Sequence, residues 1–170
     1  MSDLSVCRVV PDHWRVHRAV RLAMLLDEPR AYGSTFAREI AFDDQVWHDR
    51  IRDGAAWLAL DGDLPVGTVT MWRMPDRPDD EACLVAMWVA AHARGTGAAD
   101  ALVGALVEHA HELGLGRVTL DVADENPRAA AFYERLGFVR TGRTGELPHY
   151  PGVGEFEMER PLSGPTGFSR

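Results

Sequence analysis

Val89-Ala90-Ala91-His92-Ala93-Arg94-Gly95-Thr96-Gly97-Ala98-Ala99 separates two kinds of hydrophobic pattern. Before it, Cys83 to Val89 is an apolar run of strand length. After it, Leu102, Val103, Leu106, Val107, Ala110 and Leu113 recur three and four residues apart, which predicts a helix over 98–113 with one buried face, stopped by Gly114. Gly95 and Gly97 let the backbone come close to a ligand. The first N–H groups of a helix lack partners inside it, and the helix dipole favours a negative charge there. A strand, a glycine-containing loop and a helix in this order therefore make a seat for a phosphate. An ordinary tight turn is the reading that the loop alone leaves open.

Upstream, Val6–Val10 reads as a strand. Pro11-Asp12 then opens a helix with Asp12 as its cap and Val16, Val20, Ala23 and Leu26 on one face. Residues 27–42 read as a loop with a helical turn near Phe36–Ile40. Asp43 caps a second helix carrying Val46, Trp47, Arg50 and Ile51. Ala56–Leu60 and Val66–Trp72 are strands joined by Asp61-Gly62-Asp63, a hairpin signal, and Asp76–Asp80 is a further turn. Downstream, Val118–Val122 follows the predicted helix and pairs parallel with the strand before the loop. Asn126-Pro127 opens a helix that runs to Leu136 and ends at Gly137; Phe138–Thr141 and Glu155–Glu159 are final strands. One domain over 1–162 with a flexible tail over 163–170 is the expected organisation.

The chain has 170 residues, 46% of them hydrophobic, enough for one real core. A formal charge of −8 argues against nucleic-acid binding and is compatible with a cationic or amine partner. No stretch is long and apolar enough to span a membrane, and Met1 to Arg8 carries charges where a leader needs an apolar run, so a cytoplasmic protein is expected. Cys7 and Cys83 form neither a disulfide framework nor a zinc pattern. His13 and His17, four apart, lack a third ligand nearby, so no metal is expected. All 18 basic residues are arginines, in keeping with a GC-rich genome; the protein cannot modify itself on a lysine side chain.

Gly95-x-Gly97, with Asp121 or Asp124 further on, also looks like the start of a dinucleotide-binding fingerprint. The third glycine position holds Asp100, the unit follows an antiparallel region, and too few residues remain for a doubly wound second half. That reading is set aside. Val89-x-x-x-x-Arg94-x-x-Gly97-x-Ala99 instead resembles the acetyl-coenzyme A signature of the GCN5-related N-acetyltransferases. Asn126-Pro127-x-Ala129-x-x-x-x-Tyr133-x-x-x-Gly137-Phe138 is similar to that superfamily's following motif. The resemblance covers about residues 56–138, and the N-terminal two-helix region in layout only.

The resemblance implies an α/β (α+β) acyl-CoA N-acyltransferase fold, a mixed, largely antiparallel sheet splayed into a V with flanking helices. It implies acetyl-CoA as co-substrate, with its pantetheine arm in the cleft. Met87 and Val89 would offer backbone groups to that arm; Arg94, Gly95, Thr96, Gly97, Ala98 and Ala99 would cradle the pyrophosphate; Asn126 would contact the cofactor; Tyr133 would stand near its sulfur. Two positions depart from the usual pattern. Thr96 stands where a cation is frequent, and Asp100 puts a negative charge in the first turn of the helix. They keep open a second reading, a non-catalytic acyl-CoA-binding sensor. Homodimers are common in look-alikes.

An amine attacking a thioester needs a neutral nitrogen, stabilisation of the developing oxyanion, and a proton for the leaving thiolate. A lysine amine is neutral about once in a few thousand at pH 7, whereas an α-amine near pKa 8 is far readier. Tyr133 is the candidate acid: Phe132 and Leu136, four apart, are expected to share the buried face and leave it turned to the cleft. Asp121 is the candidate base. It lies twelve residues before Tyr133, as an acidic base does in the superfamily's ribosomal-protein N-acetyltransferases, although it also fits an outward place in the alternation Val118, Leu120, Val122. Glu28, Glu81 or a water chain could serve instead. The amine acceptor, a peptide N-terminus or a small molecule, is expected near the loop holding Glu28, Tyr32 and Phe36 and near the segment 149–155, with Trp72 and Tyr150 as further aromatics.

Overall fold

A computed structural model describes residues 3–148 and 150–162. The expected tail, 163–170, and His149 lie outside the described residues. Seven strands form one sheet in the order β1-β2-β3-β4-β5-β7-β6. They are β1 (Leu4–Arg8), β2 (Ala55–Asp61), β3 (Leu64–Trp72), β4 (Glu81–Val89), β5 (Arg117–Ala123), β6 (Val139–Glu146) and β7 (Gly154–Pro161). The helices are α1 (Trp14–Asp27), α2 (Phe36–Glu39), α3 (Asp44–Asp53), α4 (Ala98–Glu112) and α5 (Pro127–Arg135). All pairings are antiparallel except β4 with β5. The expected mixed, largely antiparallel sheet is what the chain forms.

The hairpin at Asp61-Gly62-Asp63 is present, with Gly62 at φ +60 to make the turn. Helix α4 lies where its periodicity predicts and buries Leu102, Val103, Leu106 and Ala110 against the sheet. Three elements depart from expectation. Residues Pro11–His13 form a 3₁₀ turn before α1, with no side-chain cap from Asp12. The buried stripe of α1 is Trp14, His17, Val20, Met24 and Leu25, while Ala23 is exposed and Val16 and Leu26 are 41% and 62% exposed. Strand β1 also begins two residues earlier than read, and β6 continues to Glu146, beyond the expected Thr141. β6 is a polar edge strand with no apolar alternation to announce its length.

The pairing of β4 with β5 shapes the site. It spans three residue pairs, from Glu81↔Arg117 to Cys83↔Thr119, and then stops. β4 continues to Val89 and β5 to Ala123 without each other, so the sheet opens into a V between them. On its other side β4 slips against β3: Thr68 faces Trp88 and Thr70 faces Val85, leaving Ala86 and Met87 opposite Val69. This bulge carries Ala86 at φ +54, the one non-glycine residue in the left-handed region among the described residues.

Candidate active site

The loop before α4 leaves its backbone amides without partners. Gly95 and Gly97 adopt φ +80 and +92, and no protein atom lies within 4 Å of a Cβ added at either. They are glycines for the backbone's path, not for packing. Gly97 is the N-cap of α4 and offers no capping side chain. Among the described residues, no acceptor faces the N–H groups of Gly95, Gly97, Ala98 and Ala99; the first helical bond is made by the Ala101 N–H, to the Gly97 carbonyl at 3.0 Å. Four unpartnered amides at the positive end of a fifteen-residue helix, beside two glycines that face open space, fit a diphosphate. Thr96 turns its hydroxyl inward, donating to the Ala93 carbonyl at 2.7 Å.

Arg94 does not point at this space. Its Nε donates to the Val89 carbonyl at 3.1 Å, and its Nη2 meets Asp27 at 3.5 Å and Glu28 more closely. Glu28, expected at the acceptor, is thus placed on Arg94, at the C-terminal end of α1. Asp100 is paired with Arg135, Nη1 to Oδ1 at 2.7 Å. Asn126 caps α5: its Oδ1 accepts from the Ala129 N–H at 3.0 Å.

Met87 lies on β4, one arm of the V, and Tyr133 on α5, which follows β5, the other arm. The Tyr32 hydroxyl donates to the Met87 carbonyl at 3.0 Å, and its ring lies in a cluster with Met24 and Leu25, packed against Phe36, Ala86 and Trp88. Tyr133 is buried in an aromatic group, edge-on to both Phe132 and Phe138. The expected facing is corrected here: Phe132 and Leu136 are only partly buried and Tyr133 is the inward residue, because α5 presents Ala130 and Tyr133 to the core. Among the described residues, the Tyr133 hydroxyl has no hydrogen-bond partner. Burial pushes its ionisation well above the ordinary range for a phenol, so it stays a neutral O–H donor. Tyr32 is raised too, first by burial and then by Glu28, with Tyr133 among the nearby groups.

Asp121 stands on the face of the sheet turned away from α4 and α5. It lines a cleft of about 190 Å³ with Arg77, Arg143, Thr144, Gly145, Glu155 and Glu157. Register sets Asp121 directly opposite Glu157. Glu157 is satisfied by Arg77, by Arg143 at 3.8 Å and by the Thr141 hydroxyl at 2.9 Å. Glu81, the alternative base, is buried and bound by Arg117 at 2.9 Å and Thr119 at 3.1 Å. Asp121 and Glu155 have no such partners among the described residues. Burial raises the Asp121 carboxyl, and the Glu157 charge adds to the effect. Glu155 is raised by burial and then by Asp121. The acceptor loop is tied to this side as well, since the Tyr150 hydroxyl donates to the Pro29 carbonyl at 2.9 Å and Arg30 lies over the Tyr150 ring. Cys7 and Cys83 are free thiols.

Three features escaped the sequence: Arg135 as partner of Asp100, the bulge at Ala86, and buried Glu39 held by Arg21 and Arg50. Each joins residues far apart in the chain, and none leaves a motif.

The family model for the acetyltransferase (GNAT) family matches residues 19–138. The chain is 34% identical over 96 residues to a probable N-acetyltransferase family 8 member 5 of Mus musculus, covering 55% of this chain and 42% of that one. It is 32% identical over 103 residues to a mycothiol acetyltransferase of Geodermatophilus obscurus, covering 54% of this chain and 33% of that one. The matched region thus spans less than half of either relative. In fold it is similar to the ribosomal-protein-S18-alanine N-acetyltransferase of Escherichia coli, with a TM-score of 0.71 at 16% identity over 98% of this chain and 99% of that one. The glycine loop before α4 and the parting of β4 from β5 both fall within the stretch that the family model matches, and the chain belongs to the GNAT acetyltransferase family.

Proposed function

We propose that the protein transfers the acetyl group of acetyl-CoA directly to a primary amine, either a peptide N-terminus or a small-molecule amine. The observation that carries this reading is the set of unpartnered amides at Gly95, Gly97, Ala98 and Ala99 beside an open V. When bound, acetyl-CoA supplies a thioester carbonyl that an amine can attack. The loop amides would hold its diphosphate. Backbone groups of the Met87–Val89 segment border the gap where a negative charge on the carbonyl oxygen would develop, and one such donor is typically worth about 3–4 kcal/mol.

Asp121, directly or through one water, would take the proton from the arriving ammonium, a role worth about 10²–10⁴-fold. Its raised ionisation suits it to accept a proton nearer neutral pH than an ordinary aspartate. Tyr133 would donate its hydroxyl proton to the departing thiolate and regain one from the acylated nitrogen, which sheds its second proton as the amide forms, while Asp121 releases its proton to solvent. The sensor alternative rested on Thr96 and Asp100. With Thr96 folded into its own loop and Asp100 neutralised by Arg135, no observation favours it.

The test is a panel of amines with acetyl-CoA, read by thiol release and by mass gain on the acceptor. Transfer to at least one amine, abolished in Tyr133→Phe and slowed in Asp121→Asn with a changed pH–rate profile, is the expected result. Binding of acetyl-CoA without transfer to any amine would refute it.

A further inference from the structure

We infer that Tyr32 is a positioning residue that holds the β4 bulge in its working shape through the Met87 carbonyl, a role distinct from stacking on an acceptor. The inference rests on the acetyltransferase reading only for why that shape matters. Ala86 sits at φ +54, where an L-residue is disfavoured. Strain of this kind persists only where the surroundings over-determine the backbone. The sheet does not supply that determination. β3 grips Val85 and Trp88 but not the two residues between, and β5 has parted from β4 after Cys83.

Tyr32 supplies it from outside the sheet. Its hydroxyl donates to the Met87 carbonyl at 3.0 Å, and it is buried in the cluster with Met24 and Leu25 against which Ala86 and Trp88 pack. Fixing that carbonyl fixes the Met87–Trp88 peptide plane, which lies in the stretch of β4 that borders the V. Tyr32 is itself held. The Arg21 guanidinium lies 5.7 Å from its ring and forks onto Glu39 at 2.8 and 3.0 Å. Glu39 is fully buried and is bound from α3 by Arg50 at 2.8 Å. A continuous line of contacts therefore runs from α3 and α2 through α1 to the strained residue.

Tyr32→Phe keeps the ring and removes only the bond. Two readouts separate this inference from the acetyltransferase reading. Amide hydrogen exchange over 85–89 should quicken about five- to tenfold in Tyr32→Phe while α4 is unchanged, whatever the activity. With a working amine, kcat should fall by a similar factor, with both KM values within twofold. Ala86→Gly, which adopts this φ without strain, should be tolerated alone and recover most of the loss in the double variant. Unchanged exchange over 85–89 would overturn the inference. So would a rise in acceptor KM alone, which is the signature of stacking, or strictly additive losses in the double variant. If the wild type moves no acetyl group to any amine, the functional reading falls, and the exchange result still decides what Tyr32 does.

Discussion

Arg135, in the last turn of α5, sets its Nη1 2.7 Å from Oδ1 of Asp100 in the first turn of α4. The pair answers a difficulty posed by the loop itself. A carboxylate in the first turn shares the amide-rich end of the helix with any incoming phosphate and repels it. Arg135 lowers the Asp100 ionisation, first through its hydrogen bond, so the carboxylate stays charged but is matched by a neighbouring cation. A diphosphate held there, as proposed, would meet a helix end at which the Asp100 charge is matched by Arg135.

Arg135→Ala should therefore raise the KM for acetyl-CoA about two- to fivefold at low salt, with kcat little changed. Both side chains are exposed, so the effect should shrink as salt approaches about 1 M. Adding Asp100→Ala should restore the KM. A rise that persists in the double variant would mean that Arg135 acts by another route.

Gly97→Ala should weaken cofactor binding and lower stability together. The position is open to space, so the penalty comes from φ +92 alone, about 1–2 kcal/mol for an L-residue. Thermal unfolding with and without acetyl-CoA measures both, and the shift produced by acetyl-CoA should be smaller in the variant than in the wild type.

Tyr133→Phe should separate chemistry from folding. The hydroxyl has no hydrogen-bond partner among the described residues, so the unfolding temperature should stay near that of the wild type. Turnover should fall about a hundredfold or more, at an unchanged KM for acetyl-CoA. Equal turnover in wild type and variant would remove Tyr133 from the mechanism.

Acid should unfold the protein in two stages. His17 is held near 4 instead of 6.5, by burial first and then by Arg50 and Arg21. The unfolded chain therefore binds this proton more readily, and stability falls as pH drops from about 6.5 to 4. For Glu39, burial alone would raise the carboxyl, but the hydrogen bonds and charges of Arg21 and Arg50 outweigh it and hold the group near 2 instead of 4.5. Its contribution is present above 4.5 and lost as pH falls through 2. Each group accounts for roughly 3 kcal/mol. Urea unfolding at pH 7, 5 and 3 should show the decline; His17→Gln should flatten its upper part, and Glu39→Gln should lower stability at pH 7.

Elements with a period were legible in the chain. The apolar spacing of α4, the Asn126-Pro127 opening of α5 and the Asp61-Gly62-Asp63 turn all appear where local chemistry puts them. Legibility failed where a neighbour overruled the local pattern. Val16 and Leu26 keep helical spacing, yet α1 docks through the competing stripe of Trp14, His17, Val20, Met24 and Leu25. Phe132 and Leu136, four apart, are expected to share the buried face of α5, whereas they are only partly buried and α5 docks through Ala130 and Tyr133.

The phosphate loop and the order of strands and helices are carried by residues adjacent in the chain, and periodicity, glycine and proline act over a few bonds. The face that α1 buries, the parting of β4 from β5 after Cys83, and the meetings of Tyr32 with Met87 and Arg135 with Asp100 arose only on assembly. Such contacts join groups 35 to 55 residues apart, and their energies depend on burial and distance, quantities a linear chain does not carry.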